Sequence, residues 1–192
     1  MRKICELCLL LFLIALPAMG QEKNEREKRI TEEDFPQNAL AALKDALQEE
    51  VSIRYFLETD GDKQSYEAKF KWKKRSFSIE FDTTGVVQDV EIRISRKDVP
   101  EETVATVKRY LDENHDDWRI EKSQLHYSKI RNGKDLITRA LHDHNTLIPD
   151  YELIIATKDQ GKVTNYEMLF SAKGELIQKR IVINRSHDFL RF

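Results

Sequence analysis

Cysteine is almost missing from this chain: two occur in 192 residues, Cys5 and Cys8, both within the first ten positions. Glycine and proline are also sparse, six and four respectively. So few glycines leave no phosphate-cradling loop, and no Gly-x-Ser-x-Gly elbow exposes a nucleophile. Neither sign of charge dominates, with 32 Lys and Arg against 34 Asp and Glu. A basic stripe for nucleic acid is thereby absent, as is strong attraction to anionic membranes. The one long apolar run, Leu7 to Leu16, falls short of the roughly 20 residues a membrane span needs.

That run has the features of an export signal over residues 1–20. Arg2 and Lys3 precede it, and Pro17-Ala18-Met19-Gly20 offers small residues before Gln21. A lipoprotein signal would carry Cys where Gln21 stands. Cleavage after Gly20 would remove both cysteines, excluding disulfides and thiolate metal sites and leaving packing to supply stability. Removal also implies no stable membrane insertion afterwards. Residues 21–33 are almost wholly polar and read as a solvated spacer.

Beyond the spacer the chain repeats a pattern. Pro36 precedes Leu40, Leu43 and Leu47, and Pro100 precedes Val104, Val107 and Leu111, each displaced by 64 positions. Spacings of three and four predict one apolar stripe on a helix, with Pro at its start. Tyr66-Glu67 recurs as Tyr151-Glu152, and Phe81-Asp82-Thr83-Thr84-Gly85 as Phe170-Ser171-Ala172-Lys173-Gly174. Between them Val51 to Tyr55, Tyr66 to Trp72, Phe77 to Phe81 and Val90 to Ile94 alternate apolar and polar residues. Period two with one apolar face predicts a half-buried antiparallel sheet. The expected fold is α+β, with two tandem units at 34–96 and 97–184, each a helix packed on a four-stranded antiparallel sheet, and a C-terminal tail at 185–192.

The halves differ in two ways. The second carries an insertion at 131–149, including Leu136, Ile137 and Leu141. Their outer faces differ as well. Lys69, Lys71, Glu80 and Arg93 in the first half correspond to Ile154, Ala156, Leu169 and Val182 in the second. The charged face should be wet. The apolar face should be hidden, by the insertion, by packing between units or copies, or by a partner. These four positions are therefore the candidate partner-binding residues.

Signals for chemistry are weak. His142-Asp143-His144 is the one cluster with a metal flavour, but no third ligand is specified and a solvated loop explains it better. Asp60-Gly61-Asp62 lacks the remaining ligands of a calcium loop and reads as a turn. Asp116-Asp117 and Glu32-Glu33 read as surface acids, and Trp72 within Lys71 to Arg75 alternates with the inward set. No catalytic group and no cofactor is expected.

Phe35-Pro36, the following helix, Tyr66-Glu67 and Phe81 to Gly85 resemble the PepSY-like domains of exported bacterial proteins. Tandem copies of this unit are similar to the β-lactamase-inhibitor-protein architecture. The second copy departs from the pattern at Val99 and Ser171. The resemblance implies a periplasmic or secreted, non-catalytic module that binds another exported protein and modulates or inhibits an enzyme. The alternative is a carrier of a small ligand or metal, using the space between sheet and helix or the His142/His144 loop. Ile154→Lys tests the outer face by equilibrium denaturation. Near-normal stability is expected of a free binding surface, and marked unfolding of a covered one.

Overall fold

The computed structural model describes residues 21–133 and 135–183. The signal-like segment 1–20 and the tail 185–192 lie outside the described residues. The strands are β1 (Gln21–Lys23), β2 (Glu25–Ile30), β3 (Ile53–Asp60), β4 (Lys63–Trp72), β5 (Arg75–Phe81), β6 (Val87–Arg93), β7 (Asp117–Ser128), β8 (Asp150–Asp159), β9 (Lys162–Phe170) and β10 (Leu176–Val182). The helices are α1 (Gln37–Leu47), α2 (Glu101–Asn114), α3 (Lys129–Asn132) and α4 (Leu136–His142).

Both long helices start where the prolines predict. Pro36 and Pro100 are the N-cap residues, and their carbonyls accept from Leu40 N and Val104 N, both at 3.0 Å. Glu101 and Glu102 complement the positive end of α2. The buried stripe is Ala39, Leu43, Ala46 and Leu47 in α1, and Thr103, Val107 and Leu111 in α2. Each stripe thus begins one residue earlier than the pattern of Leu40 and Val104 predicts. At Thr103 the hydroxyl donates to Ala172 O at 2.8 Å, which makes burial of a polar side chain tolerable.

The two sheets expected from the sequence are one. β2 to β10 form a continuous antiparallel sheet of nine strands, joined across the halves where β6 pairs β7. The supposed spacer is also part of it. β2 pairs antiparallel with β3, from Glu25↔Asp60 to Ile30↔Tyr55. β1 pairs in parallel with β10, from Gln21↔Arg180 to Lys23↔Val182. Only Asn24 separates β1 from β2, so one N-terminal segment holds both edges and closes the sheet on itself. Charge alternation explains the misreading. Lys23, Glu25 and Glu27 point one way and Arg26 and Lys28 the other, a strand period written entirely in polar residues.

The helices pack on the outer face. Phe35, Ala39 and Leu43 bury against Ala68, Phe70, Ile79, Phe81, Val90 and Ile92. Val107 and Leu111 bury against Tyr151, Leu153, Ile155, Met168 and Phe170. The insertion does not cover the candidate face of the second half. Leu136, Ile137, Ala140 and Leu141 join the first half's core beside α1, on the helix side. Leu125 touches both clusters and links them.

Two turns press on the helix starts. Gly85 has φ +80°, and a Cβ there would lie 2.9 Å from Ala39 N. Gly174 has φ +82°, and its Cβ would lie 2.7 Å from Thr103 O. Gly161 shares the positive φ, at +81°, but faces open space. Gly174→Ala is expected to cost about 2–3 kcal/mol, and Gly161→Ala about 1 kcal/mol. Urea denaturation of both variants measures the difference, which is the energy of the close approach.

Candidate functional site

Closing the sheet leaves a cavity of about 660 Å³ on its inner face. The inner positions follow from the pleat, because every second residue of each strand points inward. They are charged almost throughout: nine carboxyl groups, seven Lys or Arg and His126 line the space, so neither sign is in large excess. Ser78, Gln124 and Gln178 add neutral polar groups, and Ile154 and Leu169 form an apolar strip.

A joint of ion pairs holds the closing segment. Asn24 N donates to Asp60 Oδ1 at 3.0 Å, and Arg180 Nη1 reaches Asp60 Oδ2 at 3.3 Å. Arg180 Nε also donates to Glu167 Oε1 at 3.0 Å. Lys23 Nζ pairs with Glu167, and with Glu25 Oε2 at 2.8 Å. Burial opposes the charge on Lys23, but Glu167 and Glu25 outweigh it and hold the ammonium well above its usual range. Further round, Lys69 Nζ lies 2.8 Å from Glu27 Oε1 and 2.7 Å from Glu67 Oε2. That Glu67 oxygen is balanced by the lysine's charge, although it accepts no hydrogen bond of good geometry.

Charges are not scattered round the lumen. Register sets acids directly opposite acids: Glu27↔Glu58 between β2 and β3, Glu67↔Glu80 between β4 and β5, and Glu80↔Asp89 between β5 and β6. Facing like charges destabilise a sheet. Two of these acids, Glu58 and Glu80, are pushed toward the protonated form. Burial first, then the Glu67 carboxylate, raises Glu58 well above the carboxylate range. Glu58 shares a hydrogen bond with Glu67, which stays ionised beside Lys69. Burial and the Asp89 charge push Glu80 up to about 8. Glu152 is raised too, by burial and then Glu167. Burial lowers His126, but its hydrogen bond to Asp89 and the charges of Asp89 and Glu91 win and carry it to about 9.

The opposite end is basic. Four residues further along β4 from Glu67 stands Lys71, and the inner positions near it are Arg54, Arg93 and Lys122. Lys71 is exposed, whereas Glu58 and Glu67 are only 6 % and 8 % exposed. The lumen thus has an open basic mouth and a buried acidic floor.

The residues expected from the sequence are placed as follows. Ile154, 4 % exposed, and Leu169 line the cavity. Ala156, opposite Arg119 and Asn165, and Val182, opposite Lys23, are half-buried outside the lining. The first half's Lys69 and Glu80, expected to be wet, are buried or half-buried in the lumen wall. His142 and His144 are not brought together as a metal site. His142 Nε2 contacts Ala46 O at 2.8 Å and its ring meets Trp72 edge-on, while His144 Nε2 contacts Arg75 at 2.7 Å. Asp60-Gly61 is the β3–β4 turn, as expected. Glu25, Glu58, Glu167 and Arg180 escaped the sequence reading. Their period-two placement within strands was the available signal.

No family model matches the chain, and no curated protein sequence matches it. Solved structures do. A protein of Bacteroides eggerthii provisionally assigned to the periplasm is similar at a TM-score of 0.50 and 12 % identity, over 79 % of this chain and 92 % of that one. A DUF2874 family protein from Bacteroides ovatus is similar at 0.50 and 13 %, over 82 % and 95 %. A BLIP-like protein from Bacteroides fragilis is similar at 0.48 and 15 %, over 80 % and 91 %. At these identities the likeness is one of fold.

The raised carboxyls fix a pH dependence. A carboxyl whose pKa is higher folded than unfolded binds more protons in the native state between the two values, so stability falls as pH rises. For Glu80 that window runs from its ordinary 4.5 to about 8. His126 acts with the same sign from 6.5 to about 9. Urea denaturation from pH 5 to 8 is expected to show falling stability. In Glu80→Gln, which faces the same Ser65, Asp89, Glu91 and Glu25, the slope should be clearly shallower.

Proposed function

We propose that this chain is an exported, non-catalytic binding protein whose closed sheet takes a small polar solute into its lumen. The carrying observation is the cavity itself. Small closed sheets are ordinarily filled by their own inward side chains, and binding sites occupy about 300–1,000 Å³. Here about 660 Å³ stays open between charged walls. Export rests on the signal-like residues 1–20 and agrees with the periplasmic assignment of the Bacteroides eggerthii protein. No helix among the described residues is long and apolar enough to cross a membrane. In this reading the halves descend from one PepSY-like unit: in each, a helix precedes four strands and a glycine turn meets the helix start.

This reading moves the solute from where the sequence put it. The space between helices and sheet is packed with the apolar core, and the space within the sheet is open. A second reading, docking on another exported protein, is favoured by the insertion. Ile130 is fully exposed and Ile148 is 55 % exposed, on either side of Asn132, whose side chain bonds both Ile148 N and Ile148 O. Modulation or inhibition of an enzyme would act through that edge. It would not act through Ile154 or Leu169, which line the cavity within the sheet.

Backbone amide NMR separates the two. Titration with pooled polar metabolites is expected to shift Ser78, Gln124, Leu169 and Gln178 and leave Ile130 and Ile148 unmoved. Absence of any lumen shift across neutral, cationic, anionic and zwitterionic pools would overturn the solute reading.

A further inference from the structure

The charge pattern along the lumen assigns a chemical class to the solute, on the premise that the lumen is the binding site. Inner residues on one strand advance about 6.6 Å for every two positions. In β4 the inner series reads Ser65, Glu67, Lys69 and Lys71. Glu67 and Lys71 therefore stand about 13 Å apart along the strand. The neighbouring strands repeat this polarity in register. Glu58 lies opposite Ser65, and Arg54 opposite Lys69. Glu80 lies opposite Glu67, and Ser76 opposite Lys71. Asp89 lies opposite Glu80, and Arg93 follows Glu91 at the Ser76 end. One end of the lumen is thus walled by acids on β2, β3, β4, β5 and β6. The other is walled by Arg54, Lys71, Arg93 and Lys122 on β3, β4, β6 and β7.

This separation has a cost that packing does not explain. Ion pairs would balance the inner face best if signs alternated across each strand pair. Instead three carboxyls, Glu67, Glu80 and Asp89, face one another in a row, beside the buried Glu58. Lys69 meets Glu67 and His126 meets Asp89, so a sugar would add no cation for Glu58 and Glu80, and a simple amine would engage the floor alone and make no use of the basic mouth. Lys71 and Ser52 are exposed, so the basic end is the one that meets solvent. The basic side chains have partners within the protein, but a guanidinium offers five donors and can share them with an arriving carboxylate.

We propose that the solute is a short linear zwitterion, represented by a tripeptide with free termini, bound with its ammonium among Glu27, Glu58, Glu67 and Glu80 and its carboxylate among Arg54, Lys71 and Arg93. An extended tripeptide spans about 10 Å, from about 3.3–3.6 Å per residue. That length joins floor to mouth once the lysine and glutamate side chains reach toward each other. Ser78, opposite Lys69 midway along the lumen, stands where a peptide bond would pass, and Ile154 and Leu169 offer an apolar surface to its side chains. An ammonium beside Glu58 and Glu80 favours their ionised forms, so binding at neutral pH releases protons.

Titration calorimetry on the signal-free chain tests this, using trialanine, N-acetyl-trialanine, trialanine amide, succinate, putrescine and maltotriose at pH 7. Trialanine is expected to bind, with proton release seen as a dependence of the heat on buffer ionisation enthalpy. Capping either terminus should weaken binding at least tenfold. Glu58→Gln should remove most of the preference for a free amino terminus, and Arg93→Gln most of the preference for a free carboxylate. Circular dichroism and thermal melts check that both variants fold, and two variants on opposite walls keep the test independent of either one. If capped trialanine, maltotriose, succinate or putrescine binds as well as trialanine or better, the zwitterion assignment is overturned and the lumen remains a solute site. If none of the six binds, both the assignment and the lumen reading fall.

Discussion

Asp60 is the joint on which the molecule's form depends. One of its oxygens accepts the backbone amide of Asn24 and the other meets Arg180. The last residue of β3, the residue between β1 and β2, and β10 are tied at that point. Arg180 continues to Glu167 and Glu167 to Lys23, so β1 and β10 are bound through one carboxylate. Partly buried ion pairs persist only where geometry and extra hydrogen bonds offset desolvation. Here the offset comes from the backbone pairing of β1 with β10 and β2 with β3. Remove the joint and the sheet opens between β2 and β10.

Closure divides the structure into two environments. The outer face is apolar and dry, built from Phe, Ile and Leu under α1, α2 and α4. With no cysteine among the described residues, folding energy must come from this layer. The inner face carries charges that could have been placed in water at little cost. Within the like-sign rows burial and neighbouring carboxylates push Glu58 and Glu80 toward the protonated form, which lowers stability as pH rises. That cost on one wall, beside open space between the walls, is why the lumen, rather than the helix face or the histidine pair, is proposed as the binding site.

Much of the outer layer was legible in the sequence. Pro36 and Pro100 marked helix starts, period-two runs marked strands, and Gly85 and Gly174 marked turns that only glycine fits. The sequence shows the alternation of the inner face equally clearly, but alternation cannot say whether a polar face meets bulk water or its own far side. Glu67, Lys69 and Lys71 look the same in either case. The closing segment was illegible for a related reason. Lys23 to Arg29 contains no apolar residue, and burial in strands is ordinarily recognised by apolar residues. The alternation of Glu25 and Glu27 with Arg26 and Lys28 was the remaining trace. The insertion was misplaced because its apolar stripe, Leu136, Ile137 and Leu141, specifies that it must be covered but not which face it covers.

Closure itself is open to direct observation. In a uniformly ¹⁵N,¹³C-labelled chain beginning at Gln21, nuclear Overhauser contacts report which backbones are adjacent. The account predicts contacts from Lys23 to Val182 and Ile183 together with contacts from Glu25 to Asp60, all in one molecule at one set of intensities. Contacts from β2 to β3 with none from Lys23 to β10 would mean an open sheet and a solvated inner face, and would contradict the account.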